Sequence, residues 1–124
     1  MTLRRALFQV YVRGCDEAIA LYSSAFGAEC TTLVRDPGDG SVVHAELDVL
    51  GQVVALSERR GEPVVGTTMQ FALHLGEGGQ GFAGRAYEVL KEGADVSDPI
   101  GPTFYSSCMF SLVDRFGVSW CLFT

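Results

Sequence analysis

Long apolar runs, paired cysteines and clusters of basic residues are all missing from this sequence. No stretch approaches the roughly 18 consecutive apolar residues that a membrane-spanning helix needs. Arg13, Asp16 and Glu17 interrupt the N-terminal region before a signal-type apolar run can form. The nine Lys and Arg residues are scattered in a chain of formal net charge −6, so no positive stripe could follow a phosphate backbone or an anionic membrane. Nucleic acids and membranes are therefore not expected partners.

The four cysteines stand singly, at Cys15, Cys30, Cys108 and Cys121, without a Cys-x-x-Cys pair. Thiols of this kind stay reduced inside cells, so we expect free cysteines and a cytoplasmic protein. At 124 residues the chain is long enough for one domain with a real core. The 48% of apolar residues, with eight Phe and four Tyr, indicate a globular protein whose core is rich in aromatic rings.

The two halves of the chain repeat one pattern at an offset of 66 residues. The offset pairs Gly27-Ala28-Glu29 with Gly93-Ala94-Asp95, Asp48 with Asp114, Gly51 with Gly117, and Leu56 with Leu122. A fixed period of this kind is typical of a duplicated supersecondary unit. We therefore expect module one at residues 1–58, a linker at 59–67 and module two at 68–124, all within a single domain.

Each half predicts the order strand, helix, strand, strand, strand. In module one a β-rich run from Leu7 to Arg13 precedes apolar residues at helical spacing, and Gly27 supplies the left-handed stop of the helix. The other predicted strands lie at 29–34, 42–49 and 52–57 and, in module two, at 69–75, near 95, at 108–113 and at 118–123. The prediction is an α+β fold made of two βαβββ modules.

Alternation along the strand at 42–49 separates two faces. Four apolar residues share the face that suits packing beneath a helix: Val43, Ala45, Leu47 and Val49. Three polar residues share the other face: His44, Glu46 and Asp48. A carboxylate beside an imidazole could support general-base chemistry, although a face that merely meets water would also be polar. The 66-residue offset pairs His44 with Phe110 and Glu46 with Leu112, so we expect the second module to be apolar at these positions.

Three motifs, in this order and at this spacing, resemble a known superfamily. They are Asp16-Glu17-Ala18-Ile19 leading to Tyr22 and Phe26-Gly27-Ala28-Glu29, then His44-Ala45-Glu46-Leu47, and finally Asp114-Arg115-Phe116-Gly117-Val118-Ser119-Trp120. Over nearly its whole length the chain is similar to the vicinal oxygen chelate (glyoxalase/bleomycin-resistance/dioxygenase) superfamily, specifically to its PhnB-like branch, also labelled 3-demethylubiquinone-9 3-methyltransferase-like. The resemblance implies strongly curved mixed sheets that form a cleft, frequently in a homodimer. We do not expect methyltransferase activity from this chain.

In metal-using members of that superfamily, four side chains from both modules converge on one divalent ion. Placed on this chain, the resemblance puts those positions at Gln9, Ala55, Gln70 and Cys121. Mg, Mn, Fe or Zn in such a site prefers His and carboxylate ligands. Alanine cannot ligate a metal, Gln is a weak neutral donor, and a lone Cys is a soft ligand. We therefore expect no metal at the usual position and no other cofactor.

The candidate ligand-binding cleft comprises eight residues: Gln9, His44, Glu46, Gln70, His74, Phe104, Tyr105 and Cys121. His74 could share the cleft with Gln9 and His44, or lie in solvent at the end of its strand. Phe104 and Tyr105, in a loop expected at 98–107, suit a lid over the cleft or a dimer contact, or burial within their own loop. Cys121 could act as a nucleophile if a histidine reached it, or simply pack in the interior.

Three functions are compatible with these features. The first is a small-molecule binding protein, a homodimer that holds an apolar or aromatic ligand with a few placed polar groups. The second is a metal-dependent enzyme of the vicinal oxygen chelate type, a lyase, isomerase or dioxygenase, with a shifted site that recruits His44, Glu46 and His74. The third is an interaction module whose cleft is filled by its own side chains. Catalytic and non-catalytic interpretations both stand, and no spacing names a substrate.

Overall fold

The computed structural model describes residues 1–124. Its elements are β1 (Phe8–Val12), α1 (Cys15–Phe26), β2 (Glu29–Arg35), β3 (Val42–Val49), β4 (Gln52–Glu58), β5 (Phe71–His74), α2 (Gln80–Leu90), β6 (Asp95–Gly101), β7 (Met109–Val113) and β8 (Ser119–Phe123). The strands form two four-stranded sheets, in the orders β1-β4-β3-β2 and β5-β8-β7-β6. In each sheet the first and last strands of a module pair in parallel, and the other pairs are antiparallel. The predicted α+β fold of two βαβββ modules with curved mixed sheets is confirmed.

Helix α1 is bounded by two glycines, as its sequence predicted at the C-terminal end. Gly14 and Gly27 have φ values of 89° and 60°, a left-handed conformation that glycine adopts without steric penalty. The Glu58 carboxylate accepts hydrogen bonds from the backbone N–H groups of Gly14 and Cys15, both at 2.9 Å. A carboxylate here satisfies unpaired amides and interacts favourably with the helix dipole. The end of β4 is thereby fastened to the start of α1.

Two strand boundaries differ from the prediction by two residues or more. β5 begins at Phe71 rather than at residue 69, which leaves Gln70 just before the strand. β6 continues through Pro99 to Gly101. Because β6 is an edge strand of its sheet, the missing N–H of a proline can face away from the ladder. The loop expected at 98–107 therefore starts only after Gly101.

The predicted core position of Val43 is wrong. Its residue surface is 48% exposed, whereas that of Val42 is 1% exposed. Val34 pairs with His44, but the next residue of β2 pairs with Val42, so Val43 is the extra residue of a β-bulge. A bulge reverses the alternation of side chains beyond it. The other three apolar residues predicted for this face are buried: Ala45, Leu47 and Val49.

The two hairpins at the ends of the modules differ by one residue in length. Glu46 of β3 pairs with Ala55 of β4, and Ser111 of β7 pairs with Cys121 of β8. The second pair encloses one residue more than the first, and a fixed 66-residue offset cannot represent such an insertion. Ser111 is therefore the structural equivalent of Glu46.

The counterparts predicted for His44 and Glu46 in module two are consequently wrong. Phe110 and Leu112 belong to the core face of β7, with exposed fractions of 0% and 1%. Ser111 lies on the opposite face, where its hydroxyl donates a hydrogen bond to the Asp98 carboxylate. The two modules are therefore more alike in polarity on this face than the offset predicted.

One hydrophobic core spans both modules. A single cluster of 21 buried residues includes both helices and the inner faces of both sheets. Trp120 is its largest fully buried side chain, and its ring lies 5.3 Å from Tyr22, 4.8 Å from Phe26 and 4.7 Å from Phe71 between centroids. Neither helix has the length and apolar character needed to cross a membrane.

A buried carboxylate, Asp114, links the modules. It is 4% exposed, and its Oδ2 accepts hydrogen bonds from the Tyr22 hydroxyl at 2.6 Å and the Trp120 indole N–H at 2.9 Å. Its Oδ1 accepts from the backbone N–H groups of Phe116 and Val118, at 2.8 and 3.0 Å. Burial, and then the neighbouring Asp114 charge, raise the pKa of Tyr22. A buried carboxylate is tolerated when its lone pairs are occupied in this way.

The turn between β3 and β4 consists of Leu50 and Gly51, whose φ values are 53° and 88°. Positive φ at both central residues is typical of a type I′ hairpin turn, where Asn-Gly is preferred. Leu50 is the one non-glycine residue of the chain with positive φ, and 64% of its surface is exposed. An exposed leucine thus occupies a position that suits asparagine.

Candidate functional site

The larger concave surface of the protein is a groove lined by the edge strands β1 and β5. The rings of Phe8 and Phe71 meet edge to face there, with centroids 6.2 Å apart. The groove has a volume of about 1050 Å³, and 14 of its 23 lining residues are hydrophobic, so its wall is mainly apolar. Gly117 touches the linker so closely that a Cβ would lie 2.4 Å from the carbonyl oxygen of Val64. The linker and the hairpin of β7 and β8 are therefore in direct contact beside the groove.

Three of the predicted site residues line this groove: Gln9, Gln70 and His74. The Gln9 amide donates a hydrogen bond to the Tyr11 hydroxyl at 2.9 Å, and the Gln70 amide donates to the Ser119 hydroxyl at 3.2 Å. These contacts orient both amides and leave their carbonyl oxygens available to accept hydrogen bonds from a ligand. The other five predicted residues lie outside the groove: His44, Glu46, Phe104, Tyr105 and Cys121.

His44 and Glu46 come together on the face of β3 that points away from the helices. The His44 Nε2 lies 2.8 Å from a Glu46 carboxylate oxygen. Arg5 binds the same carboxylate through two hydrogen bonds of 2.8 and 2.9 Å. The bonds from Arg5, and then from His44, lower the pKa of Glu46 to about 2. Glu46 is therefore ionised and fully engaged, and it orients an imidazole whose side chain is 26% exposed.

Arg5 was not predicted as part of this group. It precedes Glu46 by 41 residues and belongs to the N-terminal segment before β1. No periodicity or motif signals such a contact, because only the folded sheet brings the segment beside β3.

The four positions that the resemblance equates with metal ligands do not fit a divalent cation. Ala55 is buried and has no donor atom, and Gln9 and Gln70 offer only neutral amide oxygens, which are weak ligands for Mg, Mn, Fe or Zn. Gln9 pairs with Ala55, and the residue that pairs in the same way with Cys121 is Ala72, so Ala72 rather than Gln70 is the equivalent of Gln9. The chain has no cluster of three or more His, Cys, Asp or Glu residues with metal-binding geometry.

His74 belongs to an aromatic cluster and does not join the pair of His44 and Glu46. Its ring stacks on Phe123 with centroids 4.7 Å apart and an interplanar angle of 13°. Tyr105 packs edge to face against Phe123 at 6.5 Å, and Phe104 packs against Tyr105 at 5.1 Å. Phe104 is fully exposed, so burial within its own loop is not observed.

Cys121 lies on the outer face of β8, opposite Ser111. Burial, and then the Asp98 carboxylate, raise the pKa of its thiol. A thiol with a raised pKa holds its proton and is a weak nucleophile, and neither histidine forms a hydrogen bond with it. Ser111 in turn shares a 2.6 Å hydrogen bond with the Ser97 hydroxyl. This face of module two therefore carries a satisfied polar network rather than an activated thiolate.

The family profile of the Glyoxalase/Bleomycin resistance protein/Dioxygenase superfamily matches residues 4–122. Comparison with curated protein sequences gave no match. Among solved structures, protein PA1353 from Pseudomonas aeruginosa is 23% identical, with a TM-score of 0.81 over 98% of this chain and 97% of that chain. The PhnB protein from Bacillus cereus is 20% identical, with a TM-score of 0.78 over 98% of both chains. A mutant of the fosfomycin resistance protein FosX from Listeria monocytogenes, complexed with Mn(II) and 1S,2S-dihydroxypropylphosphonic acid, is 15% identical, with a TM-score of 0.73 over 99% and 93% of the two chains. Identities of this size show a shared fold.

Proposed function

Because the chain belongs to the glyoxalase/bleomycin resistance protein/dioxygenase superfamily, we propose that it uses this fold to bind a small apolar or aromatic molecule in the groove between β1 and β5. The observation that carries the proposal is the mainly apolar wall of a groove of about 1050 Å³. Sites for drug-sized ligands have comparable volumes and combine apolar walls with a few oriented polar groups. Gln9 and Gln70 supply such groups.

The proposal includes a homodimer in the cytoplasm. Five exposed apolar residues line the groove and would be covered by a second copy: Phe8, Tyr11, Leu50, Val64 and Met69. Exposed apolar patches of this kind commonly mark interfaces or binding grooves. All four cysteines are free, which fits a reducing compartment. Light scattering coupled to size exclusion measures the oligomeric state directly.

Ligand binding can be tested with N-phenyl-1-naphthylamine, a neutral aromatic probe whose fluorescence rises in apolar surroundings. Ala72 lines the groove and is exposed on β5, so Ala72→Trp fills the groove without disturbing the core. We expect the variant to weaken probe binding by roughly tenfold or more, because the ring would occupy the ligand volume. Ala20→Trp, on an exposed position of α1 outside the groove, is the matched control. Equal probe affinity in both variants would refute binding in this groove.

A metal-dependent enzyme with a shifted site is the second candidate. The FosX complex contains Mn(II), and His44 and Glu46 form a ready pair of potential ligands at 2.8 Å. A cation would, however, have to displace the Arg5 guanidinium from both Glu46 oxygens. Thermal unfolding in millimolar Mn, Ni or Zn tests this alternative, since an ion that binds the folded state raises the melting temperature. A large rise that His44→Ala abolishes would favour the enzyme.

A further inference from the structure

The groove contains one formal charge, and its sign is opposite to that of the whole protein. The chain carries 15 acidic residues and a formal net charge of −6. None of the residues that line the groove is Asp or Glu, and Arg59 is the one Lys or Arg among them. The ligand groove is therefore locally positive within an acidic protein.

Arg59 also differs from the other basic residues of the chain. Of the nine Lys and Arg residues, five form salt bridges: Arg5, Arg13, Arg35, Arg60 and Lys91. The other four are Arg4, Arg59, Arg85 and Arg115, and among them only Arg59 is partly buried while the rest are exposed. Fully buried charges are normally paired, because desolvation disfavours an isolated charge, and partial burial carries part of that cost. Arg59 is therefore the one partly buried basic residue of this group, and it forms no salt bridge within the protein.

The backbone and one side-chain atom hold Arg59 in place. Its backbone N–H donates a hydrogen bond to the carbonyl oxygen of Val12, at 2.8 Å, and its Nε donates to the carbonyl oxygen of Glu62, at 2.5 Å. A guanidinium has five N–H donors in a planar fork, so four donors remain without a protein acceptor. Such a fork matches the two oxygens of a carboxylate or sulfonate.

We infer that the groove takes an amphipathic organic anion, with its apolar or aromatic body against β1 and β5 and its single acidic group on Arg59. This inference rests on the proposed function and specifies the class of ligand. The net negative charge of the protein repels anions at long range, but such repulsion is screened beyond about 8 Å at physiological salt. The direct contact with Arg59 therefore decides whether an anion binds.

Two probes that share one aromatic skeleton test the inference. N-phenyl-1-naphthylamine is neutral, and 8-anilino-1-naphthalenesulfonate carries the same rings with one sulfonate. We expect the sulfonate to bind about tenfold more tightly than the neutral probe, because a charge-assisted hydrogen bond to Arg59 stabilises its complex. Arg59→Gln should remove that preference, and Arg59→Lys should keep part of it. Arg60→Gln, which removes the same charge from the adjacent position outside the groove, should leave the preference unchanged.

The outcomes separate the inference from the proposed function. If both probes bind with equal affinity, or if the preference for the sulfonate persists in Arg59→Gln, the anionic ligand class is wrong while a ligand groove still stands. If neither probe binds to the folded protein, the proposed function and the inference both fail. Thermal unfolding of each variant verifies that the fold is intact before its affinities are compared.

Discussion

Replacing Tyr22 with Phe removes one hydroxyl from the buried network around Asp114 and leaves the aromatic ring in place. The hydroxyl donates a 2.6 Å hydrogen bond to a carboxylate that is 4% exposed, and hydrogen bonds to charged groups contribute about 2 kcal/mol. Asp114 keeps its bonds from Trp120 and from two backbone amides. We therefore expect Tyr22→Phe to lower the free energy of unfolding by about 2 kcal/mol, or the melting temperature by roughly 8 °C.

Asp114→Ala should have the larger effect, about 4 kcal/mol, because it leaves several buried donors without an acceptor. Urea unfolding followed by tryptophan fluorescence measures these values, and Trp120 reports directly on the network. Tyr87→Phe is the matched control, since the Tyr87 ring packs on Phe110 at 5.1 Å but its hydroxyl forms no hydrogen bond. The control should change the free energy by less than about 0.5 kcal/mol. Equal losses in Tyr22→Phe and Tyr87→Phe would refute a stabilising link between the modules.

Three further predictions concern the Arg5 contact, the thiols and the start of α1. The pKa of Glu46 falls from 4.5 to about 2 on folding. Its contact with Arg5 therefore stabilises the fold above about pH 4.5, and this stabilisation is lost as the pH falls toward 2. In Arg5→Met the free energy of unfolding, measured with urea, should depend less on pH across that range. With Ellman's reagent, the exposed Cys30 should react first and Cys15, which is buried and has a pKa raised to about 12, should react last. Glu58→Gln should lower the free energy of unfolding by about 1 kcal/mol, because it weakens the cap of α1.

Each of these predictions has a control within the chain. Arg4 is exposed and forms no salt bridge, so Arg4→Met should retain the pH profile of the unmodified protein. Cys30→Ser should abolish the fastest thiol reaction, and a fast reaction that persists would show that another cysteine is accessible. Glu62→Gln removes an exposed charge four residues from Glu58 and should leave helix stability within about 0.5 kcal/mol. A loss as large as that of Glu58→Gln would contradict the capping role.

The order of the elements could be predicted because each signal was local. The helical spacing of apolar residues that ends at Gly27, and the Leu50-Gly51 turn, fix elements that span only a few residues. The superfamily followed from the order of three such motifs, and the match over residues 4–122 confirms it. Local patterns thus sufficed for the fold.

Pairing between strands could not be predicted in the same way. The bulge at Val43 and the extra residue in the second hairpin each reverse a face, and neither leaves a trace in composition or spacing. The 66-residue offset therefore matches Glu46 with Leu112, whereas the strand pairing makes Ser111 its structural equivalent. A fixed offset finds duplicated units, but it assigns faces correctly only where no residue has been inserted.

The site was the least predictable part for a related reason. Gln9, Gln70 and His74 line one groove, but the one guanidinium of that groove comes from Arg59 in the segment after β4. Arg5 reaches Glu46 from an N-terminal segment that carries no recognisable pattern. Both arginines act through contacts that exist only once sheets and linker are in place, and neither lies in a motif.

The Leu50 turn sets two engineering aims against each other. A left-handed backbone disfavours most side chains by roughly 1 kcal/mol, while asparagine tolerates it, so Leu50→Asn should make the protein more heat-resistant. The leucine side chain, however, forms part of the groove wall. A screen that selects for thermal resistance alone would therefore favour asparagine here, and would yield a hardier protein with less apolar surface for its proposed ligand.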